Sequence, residues 1–144
     1  MHAQRFPTAQ LVFVAAALII GAFVVSDLVL YTHWLVPTLA RRQSVPVGLW
    51  LVVFAPLVLA GLSGGLMLRT NGQVVAAATA SAAGIQTYVW LAASTGAPGY
   101  HKSYAVEAPL LHWSVGLLAI AVACGTLLII GRRFRQWRVR RSAA

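Results

Sequence analysis

Four long apolar stretches divide this chain, and polar residues gather between them. The stretches lie at about residues 11–36, 47–68, 73–93 and 109–131. A bilayer core about 30 Å thick is crossed by about 20 apolar residues in a helix. Helices satisfy every backbone donor and acceptor inside lipid, and the sequence lacks the alternating pattern of a membrane barrel. The pattern therefore predicts an all-α integral membrane protein, folded as a four-helix transmembrane bundle.

The connections between the stretches are short, which predicts one transmembrane domain over residues 1–144 with a basic C-terminal tail at 132–144. The first stretch is expected to stay in the protein. Its apolar length of about 26 residues exceeds the 7–15 of a signal peptide, and no small-residue cleavage site closes it.

Composition supports a membrane protein and excludes other classes. The chain is 60% hydrophobic and 9% charged, whereas a soluble domain is about 45–50% apolar and about 25% charged. Eleven Lys and Arg against two acids give 11 − 2 = +9. These values exclude a soluble globular enzyme, a disordered tail and a disulfide scaffold. No nucleic-acid partner is expected, because the basic residues do not line a folded polar surface.

The positions of the basic residues predict the orientation. Four spans place both termini and the second connection on one side, and that side carries eight of the Lys and Arg residues against three on the other. Basic residues are retained in the cytoplasm. Both termini are therefore predicted to be cytoplasmic, in a bacterial inner (plasma) membrane. The eight are Arg5, Arg69, Arg132, Arg133, Arg135, Arg138, Arg140 and Arg141; the three are Arg41, Arg42 and Lys102.

Small residues at helical spacing predict which faces pack, because membrane helices associate where small side chains allow close approach. Cys124 is predicted to be a small packing residue, and Pro56 is predicted to bend the second span. The predicted packing stripes are Ala15, Ala22 and Ser26; Gly61 and Gly65; Ala76, Ala80 and Gly84; and Gly116, Ala119, Ala123 and Thr126.

Two histidines are predicted to share one depth near the external surface. His33 falls within about 20° of the first stripe at 100° per residue, and His112 falls on the stripe of the fourth span. Imidazole pairs of this kind ligate a single b-type haem. The haem hypothesis makes His33 and His112 axial ligands and pairs the propionates with Arg41, Arg42 or Lys102.

Two alternatives to haem stay open at these histidines. Imidazole and carboxylate ligands suit zinc or copper, so His33, His101, Glu107 and His112 form an alternative metal set. The structural interpretation makes both imidazoles interfacial groups bonded to backbone or water.

Asp27 is the acidic residue within a predicted span. A charge at the bilayer centre costs at least about 2.5–3.5 kcal/mol on insertion scales, so such a group suggests a function. Tyr31 lies one turn on and is a predicted hydrogen-bond donor to it. The functional interpretation is a proton-linked carboxylate; the structural one is a carboxyl that fixes helix register against Gln86 or Ser81.

Three functions follow from these residues. The first is a small subunit or anchor of a larger membrane complex, in contact with other subunits or a second copy, with a haem for electron transfer. The second is a proton-coupled transporter of a cationic or lipophilic small molecule that uses Asp27. The third is a membrane-embedded enzyme acting on a lipid or quinone, so the sequence leaves open whether the protein is an enzyme.

Overall fold

The computed structural model describes residues 8–28, 47–97 and 109–142, which form four α-helices and no strand. They are α1 (Thr8–Val25), α2 (Val47–Met67), α3 (Asn71–Thr95) and α4 (Pro109–Ser142). Three helical segments are long and apolar enough to cross a membrane. The most polar of the three lies in α3. The described part of the chain is therefore helical and has the character of a membrane protein.

Each helix packs mainly against two others. The main contacts join α1 with α2, α1 with α3, α2 with α4, and α3 with α4. Between α2 and α4 the residue numbers of the contacting pairs increase together, since Gly61 meets Leu127 and Leu62 meets Gly131. Between α3 and α4 the residue numbers change in opposite directions, since Ala78 meets Gly125 and Gln86 meets Gly116. Thus α2 and α4 are parallel, and α3 is antiparallel to α4.

Glycines of α2 receive large side chains from α4. A Cβ on Gly61 would lie 2.7 Å from the Cβ of Leu127, and one on Gly65 would meet the Leu128 carbonyl oxygen. The predicted packing role of Gly61 and Gly65 is confirmed. Leu128 is fully buried, and so is Cys124 one turn before it, which agrees with its predicted packing role.

Two of the predicted stripes are largely unpacked within this chain, and contact of those stripes with other subunits stays a prediction. Ala76 and Ala80 of α3 are exposed, as are three members of the α4 stripe: Ala119, Ala123 and Thr126. In an alanine-rich helix small residues occur on several faces, so size alone does not select the packed one. Contacts here pair a small residue with a large one, as in Gly84 of α3 against Ile20 of α1. The α1 stripe is packed, since Ala15 and Ser26 are buried and Ala22 is half-buried.

Both ends of α3 are fixed by capping. Gln73 N donates to Thr70 Oγ1 at 3.2 Å, and Thr70 N donates to Gln73 Oε1 at 3.2 Å, which forms a capping box. At the other end Gly96 adopts the left-handed conformation (φ 70°), and Ala97 N donates to Ala92 O at 2.9 Å. Glycine has no Cβ to oppose this conformation, and the Schellman pattern satisfies carbonyls that the last turn leaves open.

The fourth helix continues through the predicted basic tail. It has 34 residues, which corresponds to about 51 Å, well beyond a bilayer core of about 30 Å. Residues 132–142, which belong to the predicted basic tail, are therefore helical. Arginine is a good helix former, and cations near a helix C-terminus interact favourably with the helix dipole.

Candidate functional site

Asp27 forms a polar link between two helices. It lies directly after α1, in a π-helical turn at residues 26–28, and only 8% of its surface is exposed. The Tyr88 hydroxyl of α3 donates a hydrogen bond of 2.8 Å to Asp27 Oδ2. A hydrogen bond to a carboxylate is stronger than one between neutral groups. The bond therefore offsets part of the cost of placing Asp27 among apolar helices.

Aromatic and small residues position the two partners. The rings of Phe23 and Tyr88 pack edge to face, with centroids 5.9 Å apart and planes at 82°. One turn before Tyr88, Gly84 lets the Ile20 side chain approach the α3 backbone. Ile20 meets Gly84 and Asp27 meets Tyr88, so the contacts advance in the same direction along both segments and α1 is parallel to α3.

Ser26 supplies a second polar group in the π-helical turn. It is 4% exposed, and its hydroxyl has no hydrogen-bond partner among the described residues. Other helical hydroxyls of the described residues, those of Ser81, Thr87 and Thr126, donate to the carbonyl four residues earlier. A π-helical turn displaces the backbone from that register, and such turns occur frequently at functional sites.

Two of the partners predicted for Asp27, Ser81 and Gln86, lie elsewhere. Tyr31 is outside the described residues. The Ser81 hydroxyl donates to Ala77 O at 2.7 Å within its own helix, and the Gln86 amide packs on Gly116 of α4. Tyr88 is thus the partner that sequence reasoning missed. Its signal was a hydroxyl group within the third apolar stretch of the sequence.

The haem hypothesis stays a prediction. His33 lies outside the described residues, as do the predicted propionate partners Arg41, Arg42 and Lys102. His112 belongs to α4, but the described side chains of α4 begin at Trp113. Of the stripe that was expected to bury His112, Gly116 packs on Gln86 of α3, whereas Ala119 and Ala123 further along α4 are exposed.

The alternative metal set also stays a prediction. The residues His33, His101 and Glu107 and the side chain of His112 all lie outside the described part of the chain. Among the described side chains no three His, Cys, Asp or Glu residues group closely enough to hold a metal ion. Within that part, Ser26 and Asp27 are buried in one turn, and the half-buried Tyr88 donates a hydrogen bond to Asp27.

Comparisons with known proteins add no relative to these observations. No protein family, curated protein or solved structure matches this chain.

Proposed function

We propose that this chain is a four-helix transmembrane bundle, with both termini cytoplasmic, that couples proton binding at Asp27 to transport of a cationic or lipophilic small molecule. The observation that carries the proposal is the hydrogen bond from Tyr88 to the buried Asp27, because it joins a titratable group to the packing of α1 against α3. The eight-to-three bias of basic residues supports the orientation.

Protonation of Asp27 changes the strength of its hydrogen bond with Tyr88 and its attraction for a cation. The ionised carboxylate accepts the Tyr88 hydrogen bond as an anion, which attracts either a proton or a cationic substrate. The neutral acid is a weaker acceptor and no longer attracts a cation. A proton and a cation therefore compete for one group, and this competition is the basis of coupled exchange.

The transport proposal is tested in proteoliposomes that contain a fluorescent pH indicator. Tetraphenylphosphonium and ethidium serve as cationic probes. We expect the wild-type protein to move protons when a probe is added, and Asp27→Asn to abolish the movement. Ser81→Ala, a change of another buried polar group, is expected to keep it. Full activity of Asp27→Asn, or a wild-type signal equal to that of empty vesicles, would refute the proposal.

Orientation is tested separately by labelling. Single cysteines are placed near each terminus in a Cys124→Ala background, and a membrane-impermeant thiol reagent is added to intact cells. We expect both positions to be labelled only after the cells are opened. Labelling of one terminus in intact cells would contradict an even number of spans.

A second candidate function is that of a subunit in a larger membrane assembly. An open groove of about 370 Å³ runs along the outer face of α1, between Phe13, Leu18 and Gly21. Nothing lies within 4 Å of a Cβ built on Gly21, and Ala17 lines the same groove one turn earlier. Small residues four apart favour close approach of another membrane helix. This groove supports contact with another subunit or a second copy.

The subunit proposal is tested by filling the groove. Gly21→Leu places a large side chain where this chain has open space, so we expect the variant to fold and to lose its partners under mild detergent. Assembly size by light scattering that is the same for Gly21→Leu and wild type would contradict the proposal. A reduced-minus-oxidised spectrum of the same preparation tests the haem hypothesis, which predicts Soret and alpha bands that His33→Ala removes.

A further inference from the structure

Seven arginines of the described residues lie at one end of the helices. They are Arg69, in the turn between α2 and α3, and six arginines of residues 132–142, and we call this group the arginine end. Asp27, the acidic residue of the described part, lies far from it. Ala15 packs on Gly64 near Leu128, one turn before Arg132, and Asp27 follows Ala15 by twelve residues, about 18 Å along α1. Among the described residues, therefore, no acidic side chain lies at the arginine end.

Arg132 carries a guanidinium nitrogen in need of an acceptor. Its Nη1 is buried and has no hydrogen-bond partner in the part of the chain that the structure describes. Gly131, the residue before it, packs on the Leu62 backbone of α2, so Arg132 begins beside that helix. A guanidinium stays charged at all physiological pH values, and a buried donor without an acceptor is unfavourable. This nitrogen is thus positioned for a ligand that brings oxygen acceptors.

Arg135 lies one turn further and is partly held in place. Its Nη1 donates to the Leu66 carbonyl oxygen at 3.2 Å, close to the end of α2. Guanidinium has five N–H donors, so this bond leaves others for a ligand. Residues three apart on a helix are neighbours. Arg132 and Arg135 therefore form a pair beside the end of α2.

Aromatic rings place this pair at the level of lipid headgroups. Phe134 and Trp137 stack with centroids 5.7 Å apart, and each ring is about half exposed. The Arg141 guanidinium lies 4.1 Å from the Trp137 ring centroid, and that of Arg138 lies 5.4 Å from Phe134. Tryptophan prefers the membrane–water interface. The acceptors found at that depth in a bilayer are phospholipid phosphates.

We propose that Arg132 and Arg135 form a binding site for the phosphate of an anionic phospholipid. The two guanidinium groups supply paired donors that suit phosphate oxygens, and the other arginines of the arginine end add attraction for a net negative headgroup. The site is separate from Asp27, so it holds whether or not the chain transports a substrate. Its specificity comes from the position of Arg132 and Arg135 rather than from total charge.

Native mass spectrometry of the full chain released from detergent micelles tests the site. Phosphatidylglycerol is titrated against phosphatidylcholine, and Arg132→Gln is compared with Arg133→Gln, which removes the same charge from an exposed neighbour. We expect phosphatidylglycerol to be retained and its affinity to fall about 10-fold in Arg132→Gln, but less than about 2-fold in Arg133→Gln. Arg132→Lys keeps the positive charge but lacks the paired N–H donors of guanidinium, and we expect it to restore only part of the binding.

Three results would overturn the proposal. Equal losses in Arg132→Gln and Arg133→Gln would indicate diffuse attraction without a site. Retention of phosphatidylcholine equal to that of phosphatidylglycerol would show that the protein does not recognise the charge of the headgroup. Displacement of the lipid by millimolar inorganic phosphate would assign the site to free phosphate. Circular dichroism of each variant confirms that the helices are formed, so a loss of binding is not mistaken for a loss of fold.

Discussion

The Tyr88 hydroxyl and the Asp27 carboxylate are separated by 61 residues of sequence and by 2.8 Å in space. The contact joins the π-helical turn after α1 to α3, and one turn earlier in α3 Gly84 receives the Ile20 side chain of α1. The pair therefore fixes the relative position of two helices and gives the chain a titratable contact.

Tyr88→Phe is expected to destabilise the α1–α3 contact. The substitution removes the hydroxyl and keeps the edge-to-face packing on Phe23. Hydrogen bonds between membrane helices contribute about 0.6–2 kcal/mol, so we expect a loss of that size. Reversible unfolding in mixed detergent micelles measures it. A free energy of unfolding equal to that of wild type would contradict the role of this bond.

Asp27→Asn is expected to cost less stability than Tyr88→Phe. The asparagine amide has an oxygen that still accepts the Tyr88 hydrogen bond, and it carries no charge into the membrane. The same unfolding measurement applies, and Asp27→Ala serves as the control that removes the acceptor. Stability that falls equally in Asp27→Asn and Asp27→Ala would show that the negative charge, rather than the acceptor, matters.

Ser26→Ala is expected to leave stability unchanged or to raise it. The Ser26 hydroxyl is buried without a partner, and an unsatisfied buried polar group costs about 1–3 kcal/mol. Thermal unfolding in detergent compares the variant with Ser81→Ala, which removes a hydroxyl bonded to Ala77 O. A clear loss of stability in Ser26→Ala alone would mean that this hydroxyl has a partner in the membrane.

Gly131→Ala is expected to destabilise the contact between α2 and α4. Its Cβ would fall on the Leu62 carbonyl oxygen, and backbone atoms cannot move aside without shifting a helix. Overpacking of this kind costs about 1–3 kcal/mol. Gly21→Ala is the matched control, because its Cβ would meet nothing within 4 Å. Similar unfolding midpoints for the two variants would contradict this close approach.

Thr70→Ala is expected to loosen the start of α3. It removes the side-chain acceptor for Gln73 N, and loss of a threonine N-cap costs about 1 kcal/mol. Hydrogen exchange measured by mass spectrometry should rise in the first turn of α3. The exposed Thr79→Ala in the middle of the same helix provides the control. Unchanged exchange in the first turn would mean that the capping box contributes nothing there.

Some packing was predictable from residue size, and some was not. Gly61 and Gly65 of α2 could be identified because glycine in a membrane helix marks close approach, and α4 meets both. The stripes of α3 and α4 misled because alanine fits either a packed or a lipid-facing position. The Leu128 side chain fills the space beside Gly64, and periodicity of small residues does not reveal this pairing of unlike sizes.

The sequence by itself determined that the chain is helical and apolar enough for a membrane, since hydrocarbon accepts a backbone only when its own groups are bonded internally. It also identified Asp27 as a candidate functional residue, because an acidic residue within an apolar stretch is recognisable from the sequence alone. Only the tertiary structure decided that Tyr88 is a partner of Asp27 and that Arg135 bonds to the Leu66 carbonyl oxygen of α2. Those relationships depend on which helices are neighbours and on the direction in which each helix runs. Because every helix is covered with apolar side chains, the sequence pattern does not show which faces of which helices meet.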